Sequence, residues 1–479
     1  MAKPLNRREF ISTTTAAGGM LLAGGLAARP LAAAEEAGWP KMPPVKIHVV
    51  YLGTGGAWPG PSFDAPKEVA KFKKYLDGVE KRLGDVQFVG GELIPNATGP
   101  AAQVAAKLGD ADAVLIVHLS FGNAAPMAKF VETGLPVAIF SQPFSGHDWM
   151  YVPQWQTAGK KVILLTSSDY GELERAAALL RVPVRMRQTR IICVGRPRGT
   201  PASCSPQQIK ERLGAEVVPL SGKQVVEAHQ AVDLKAAEAE AEQYWIGQAK
   251  KIVEPTREHI VNSARLYLAM KDLMIEHRAQ AVTSSYCMGA PAKCCLTFSK
   301  LNDLGLVGAC EGDMDSTLTM LIFAYAFGVP GFISDPLFDT SKNAVIHAHC
   351  TSTTRLDGPD GKRAPFIIRT QCDSERGVSL EVEMRVGQEI TCAKLANLDT
   401  MLISTGKIVE IPNYYDRGCR TQILTEVPNA REMVRRWGSG VLEKQGMMTL
   451  LHRVVFYGNR LESAKDLALL MGQKVVLEG

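Results

Sequence analysis

The sequence predicts an α/β protein: two successive α/β units, then a β-rich region folding as an antiparallel sheet or small barrel. Three observations carry this. Short apolar runs alternate with helical spacing from residue 45 to about 188. The alternation resumes from 189 to about 340. Beyond that point the chain changes to short strand-like runs divided by turn residues. Alternation of the first kind argues for a parallel sheet covered by helices, and the last texture for antiparallel pairing. At 479 residues the chain exceeds one ordinary core, so two or three domains are expected. An apolar content of 46% with 22% charged residues excludes a disordered chain.

In the first unit, "VKIHVVYLG" is a β-rich run ending in glycine, and "DAPKEVAKFKKYLDGVEKRLG" has helical spacing. "DVQFVGGEL", "DAVLIVHLS", "PVAIFSQPF" and "KVILLTSS" are further strands. The second unit opens with "TRIICVGRPRG", continues through helical regions around 231–250 and 255–277, and ends at "GVPGFISDP". In the last region (341–479), "APFIIRTQCD", "VSLEVEMRV", "QEITCAKLA" and "DTMLISTGKIVEI" read as strands, and the final stretch as strand, helix, strand. "YLGTGGAWPG" follows a strand, but its glycines do not fit G-x-G-x-x-G, which argues against a dinucleotide site.

Residues 1–34 read as a targeting segment. Arg7 and Arg8 precede Phe10, a short Gly-rich apolar stretch follows, and Ala32 and Ala34 mark a small-residue cleavage site. The order resembles a twin-arginine signal, which implies passage through the Tat translocase, a periplasmic or other extracytoplasmic location, and no stable membrane insertion after cleavage. The alternative is an N-terminal anchor, for which the apolar stretch is short. This segment supplies three of the chain's +5 net charge. The remainder is near neutral, so neither nucleic acid nor acidic lipid is an expected partner. Ten cysteines lie between Cys193 and Cys419 with no C-x-x-C pair, and most are expected to be buried free thiols.

The chemistry concentrates in "GACEGDMDST", which sets Glu311, Asp313 and Asp315 ahead of the nearly uncharged run "LTMLIFAYAFGVPGFI". Asp335 follows that run. Acids before an apolar helix cap it and favour its dipole, the reading given to Asp315 and Ser316. Asp313 does the same or supports a site from behind. Glu311 and Asp335 border apolar runs, and a buried carboxylate needs a partner. Asp335, at the end of a buried-type strand, is expected to face one site with Glu311. With imidazoles they would form an O/N cage for Mn²⁺ or Mg²⁺. His347 and His349 lie two apart on a strand-like run and point the same way. His452 opens the last strand-like run.

"GACEGDMDSTLTM" followed by the Asp335 of "ISDP" resembles the second domain of the L-fucose isomerase family and its L-arabinose isomerase relatives. The likeness extends through "SYCMGAPAKCCLTFSKLNDLGLVG", "HAHC", "VGQEITCAKL" and "HRVVFYGN". It implies two Rossmann-like α/β domains, a C-terminal barrel-like domain, and a site often completed by a neighbouring subunit, hence a homo-oligomer. It also implies that Glu311 and Asp335 bind Mn²⁺ and move protons, with His452 and His349 as further metal ligands. The family's "HCG" reads "HCTS" here and its late histidine pair reads "LH", which leaves substrate specificity open.

The expected activity is metal-dependent aldose–ketose isomerisation of a sugar or sugar derivative through an enediol. An exported sugar-binding protein, or an epimerase or lyase on the same scaffold, is the alternative. Two loops are further candidates for substrate contact. "FSQPFSGHDW" offers Ser145, His147 and Asp148 to a sugar held by an adjacent subunit, or is a surface loop. "VGRPRG" offers Arg196 and Arg198 to an anionic group, or is solvated surface.

Overall fold

The computed structural model describes residues 38–479 apart from 57, 290, 413–416, 439 and 443–445. The expected export signal lies outside the described residues. Among them, no helix is long and apolar enough to cross a membrane.

The first unit runs β1 (Val45–Leu52), α1 (Ala65–Leu83), β2 (Val86–Ile94), α2 (Thr98–Ala105), β3 (Ala113–His118), α3 (Ala124–Val131), β4 (Val137–Ser141), α4 (Val152–Thr157), β5 (Val162–Thr166) and α5 (Gly171–Gln188). Its five strands are parallel, in the order β2-β1-β3-β4-β5. α1 shows how local sequence sets an element. Asp64 caps it by accepting from the Lys67 amide, Gly84 ends it with φ 70°, and Ala65, Val69, Phe72, Leu76, Val79 and Leu83 line its buried face.

The second unit comprises β6 (Arg190–Val194), α6 (Pro206–Leu213), β7 (Glu216–Leu220), α7 (Gly222–Ala231), α8 (Leu234–Glu240), β8 (Lys251–Ile252), α9 (Arg257–Glu276), β9 (Ala281–Ser284), α10 (Cys295–Asp303), β10 (Val307–Ala309) and α11 (Met314–Phe327). Its parallel sheet has the order β10-β9-β6-β7. The long helix expected over 231–250 is broken. α8 passes into a single π turn at Ala241–Trp245 and a 3₁₀ turn, and buried Trp245 anchors the break in the second core.

The last region holds β11 (Phe332–Asp339), β12 (Ala344–His349), β13 (Phe366–Arg369), β14 (Ser379–Val382), β15 (Glu389–Ala396), β16 (Thr400–Glu410), β17 (Thr421–Glu426), α12 (Ala430–Arg436), β18 (Arg453–Tyr457), α13 (Leu461–Met471) and β19 (Lys474–Leu477). Six antiparallel strands, β15-β18-β11-β12-β17-β16, close on themselves through the β15–β16 pairing, and β19 joins β16 in parallel. Closure removes the exposed sheet edges. β13 and β14 stand outside the barrel, in a small sheet with β8. The expected division at 340 moves back to Phe332, because β11 pairs antiparallel with both β12 and β18.

The nearly uncharged run after the acidic motif is α11. All fourteen of its residues are buried, because it is packed between the units rather than against one sheet. One apolar core joins the first sheet, α5, α11 and the barrel residues Ala393, Leu395, Val454 and Phe456. Phe323 of α11 stacks on Phe456 with ring centroids 4.1 Å apart. α13 returns from the barrel to pack on α5 and β5.

A buried ionic knot fastens α5. Arg181 Nη1 lies 2.8 Å from Asp85 and its Nε donates to the Tyr325 carbonyl of α11 at 2.7 Å. Arg185 reaches the other Asp85 oxygen at 2.9 Å. Burial alone would raise the Asp85 carboxyl, but the two guanidinium charges hold it below its ordinary range. A depressed carboxylate stabilises the fold above the unfolded value of about 3.9 and loses that contribution as pH falls through the folded value. Asp85→Asn is therefore expected to cost about 3 kcal/mol near pH 7, because it leaves two buried cations uncompensated. Urea unfolding should show that gap closing as pH drops below about 4. A gap independent of pH would contradict the assignment.

Candidate metal centre

The acidic motif forms the turn between β10 and α11. Glu311 and Gly312 take φ values of 62° and 73°, which reverse the chain at once. A side chain at Gly312 would bring its Cβ to 2.9 Å from the Arg196 carbonyl, so the position requires glycine. Glu311 adopts the left-handed conformation with a side chain, a strained arrangement of the kind that concentrates at functional sites. A strap from the "VGRPRG" loop holds the turn: the Arg198 amide donates to the Gly312 carbonyl at 2.8 Å and the Met314 amide to the Arg198 carbonyl at 2.9 Å. Arg196 and Arg198 thus act on the motif through their backbone, with their side chains exposed.

The helix cap is Asp313, not Asp315 or Ser316. Its carboxylate accepts from the Ser316 amide at 2.9 Å and the Ser316 hydroxyl at 2.7 Å. Asp315 is fully buried in the first turn and bound by the Thr200 amide and hydroxyl at 2.7 and 2.6 Å. Asp313 also receives Lys394 Nζ and His452 Nδ1, each at 2.9 Å. These cations overcome the penalty of burial and hold its carboxyl far below the ordinary range.

Asp335 does not end a strand of the parallel sheet. It lies inside barrel strand β11, opposite Ala348 of β12. His349 ends β12, and His452 directly precedes β18. His452 is fixed from both sides. Asp313 holds its Nδ1, and the adjacent buried Arg453 forms a two-pronged ion pair with Glu478 at 2.7 and 2.6 Å and lies over the Trp437 ring.

Glu311, Asp335, His349 and His452 converge. His452 Nε2 lies 3.2 Å from Asp335 Oδ1 and 4.0 Å from Glu311 Oε2. The His349 and His452 rings meet edge to face with centroids 5.5 Å apart. Potential ligand atoms of Asp335, His349 and His452 all lie within 4.8 Å of one another, as do those of Cys310, Glu311 and His349. The imidazoles are buried, whereas the Glu311 and Asp335 side chains are 44% and 33% exposed, so the site opens to solvent on its carboxylate side.

The donor set fits a divalent cation. Carboxylate oxygen and imidazole nitrogen suit Mn²⁺ or Mg²⁺. His452 Nε2 is buried without a hydrogen bond and stands between two carboxylates. Ligands about 2.1 Å from an octahedral ion lie about 3 Å apart when adjacent and about 4 Å when opposite; the two His452 separations fall in this range. Burial would lower His452, but the Asp313 hydrogen bond at Nδ1 and the negative charge of nearby Asp335 outweigh it and push the imidazole up to about 9. Asp335 is held low against its own burial by His452 and His349. His349 is held low by burial and the His452 charge.

His347 points the way His349 does but serves the barrel interior. It exchanges hydrogen bonds with the Ser334 and Thr425 hydroxyls at 3.0 and 3.1 Å, and burial pushes it down to about 3, which keeps it neutral. Asp148 is not available to a ligand. It is buried and receives His118 Nε2 at 3.0 Å and the Gly122 and Ala124 amides at 2.9 and 3.0 Å. Ser145 is buried, while His147 lies edge-on to two exposed aromatics, Trp58 and Phe121. Lys394 went unnoticed in the sequence. A lysine in the apolar run "ITCAKLA" is the available signal, since a buried ammonium requires an acidic partner.

All ten cysteines are free thiols and seven are buried. No family model matches the chain, and no curated protein is significantly similar to it.

Proposed function

We propose that this chain is a metal-dependent aldose–ketose isomerase of the L-fucose/L-arabinose isomerase superfamily, acting on a sugar or sugar derivative. The observation that carries the reading is the meeting of Glu311, Asp335, His349 and His452 around the unbonded His452 Nε2. These four residues would hold Mn²⁺, or Mg²⁺ in its place. When bound, the cation would polarise two neighbouring sugar oxygens and offset the negative charge that develops on them. One of Glu311 and Asp335 removes the proton from the carbon beside the carbonyl, giving the enediol, and returns it to the adjacent carbon. The other carries the proton between the two oxygens. The neighbouring His452 and His349 hold Asp335 in the ionised form that proton abstraction needs. Asp313 does not touch the sugar; it orients His452 through Nδ1 and leaves Nε2 for the ion.

The wider reading follows from the same resemblance. The two parallel-sheet units are taken as Rossmann-like domains, and the N-terminal segment as a twin-arginine signal that delivers the folded protein to the periplasm. The chain is read as a homo-oligomer in which a second copy's first unit walls the site. An exposed rim of Trp58, Phe121 and Phe144 at the carboxyl edge of the first sheet supports this, since aromatic faces suit the apolar side of a sugar ring.

Incubating Mn²⁺-loaded protein with a panel of aldoses and ketoses in D₂O is expected to give interconversion of one pair, with deuterium on the carbon that receives the proton. Glu311→Gln and Asp335→Asn should each lower kcat by roughly 10²–10⁴. Metal-replete protein that incorporates no deuterium across the panel would overturn the reading. Asp313→Asn is expected to weaken Mn²⁺ binding by about 10–100-fold in a calorimetric titration. An unchanged affinity would show that Asp313 does not position His452.

A further inference from the structure

Three cysteines meet beside the carboxylate site on separate segments. Cys350 follows His349 at the end of β12, Cys372 lies just beyond β13, and Cys419 lies two residues before β17. Their sulfurs all lie within 4.8 Å of one another, and those of Cys372 and Cys419 are 3.5 Å apart. The barrel brings two of them together, because His349 pairs with Thr421 across β12 and β17. The third is tied in by Arg420, which is buried and donates to the Thr370 carbonyl at 2.8 Å and the Thr370 hydroxyl at 3.2 Å. The Gln371 side chain folds the next turn by accepting from the Ser374 amide and hydroxyl at 3.1 and 2.8 Å. Cys350 is buried, while Cys372 and Cys419 are partly exposed, which opens the cluster to solvent.

We infer that Cys350, Cys372 and Cys419 form a second metal site, a trithiolate site for a thiophilic cation of the Zn²⁺ class. In a tetrahedron with Zn–S bonds of about 2.3 Å, neighbouring sulfurs stand about 3.8 Å apart; the Cys372–Cys419 separation is close to this. A disulfide requires about 2.05 Å, would engage two of the three sulfurs and would leave the third unused. Thiolate ligands select Zn²⁺ over Mn²⁺ or Mg²⁺, so this site and the carboxylate–imidazole site take different ions. Each thiol gives up its proton to solvent as the metal binds. Three protein ligands leave one tetrahedral position for an exogenous donor. The site does not depend on the isomerase reading.

The test uses the full chain, reduced and stripped with chelator, then titrated with Co²⁺ alone. One equivalent is expected to give sulfur-to-metal charge-transfer absorption that Zn²⁺ abolishes by displacement. The band should persist in a Glu311→Gln, Asp335→Asn double variant and vanish in Cys372→Ser and Cys419→Ser. In the wild-type chain, which needs no substitution, Zn²⁺ should slow alkylation of Cys372 and Cys419 by about tenfold or more. Absence of the charge-transfer band, or alkylation at the same rate with and without Zn²⁺, would overturn the site. So would a band that survives in folded Cys372→Ser and Cys419→Ser proteins.

Discussion

The Asp313 carboxylate is the interaction on which the rest of the centre depends. It caps α11, accepts the ammonium of Lys394 from β15 and accepts Nδ1 of His452 at the mouth of β18. One side chain thus ties the second parallel-sheet unit to two strands of the barrel. The geometry at such a junction has to be rigid, because a fully buried acid with two cations tolerates neither loss nor displacement of a partner at low energy. Rigidity there fixes the His452 ring, and with it the direction in which its unbonded Nε2 points.

Around this hub the molecule divides its tasks. The parallel-sheet unit contributes a strained reversal that lifts Glu311 out of the β10–α11 turn, held by Gly312 and the 195–200 strap. The closed barrel contributes Asp335, His349 and His452 from adjacent strands, where hydrogen-bonded register sets their separations. α11 is buried on all sides between the two, which explains why an almost uncharged helix directly follows three acids. The acids form the polar N-terminal end of a rod whose later turns are almost wholly apolar.

Much of the architecture was legible because it is written in local periodicity. The alternation over 45–188 corresponds to the five-stranded parallel sheet, and each strand-like run after 360 is a strand. What local pattern cannot carry is the choice of partner. "PGFIS" reads alike as the last strand of a parallel sheet or the first of a barrel, and only pairing with β12 and β18 decides. For the same reason β13 and β14 read like barrel strands yet pair with each other, and β13 with β8, outside the barrel. The 231–250 helix has helical spacing throughout, and its break comes from the tertiary seat of Trp245. At the centre, carboxylates at a hydrophobic border drew attention to Glu311 and Asp335, whereas His349 and His452 were chosen among the histidines only through the family resemblance. The cap was assigned to Asp315 and Ser316 because spacing alone does not tell which acid reaches back to the helix amides. Lys394, remote in sequence, carried no sign of its partner.

The central claim is that two carboxylates and two imidazoles from separate elements share one cation. Anomalous scattering from crystals grown with Mn²⁺, recorded above and below the manganese edge, tests it most directly. The account predicts a single strong peak within bonding distance of Glu311, Asp335, His349 and His452. A peak elsewhere, or none at saturating Mn²⁺, would contradict it.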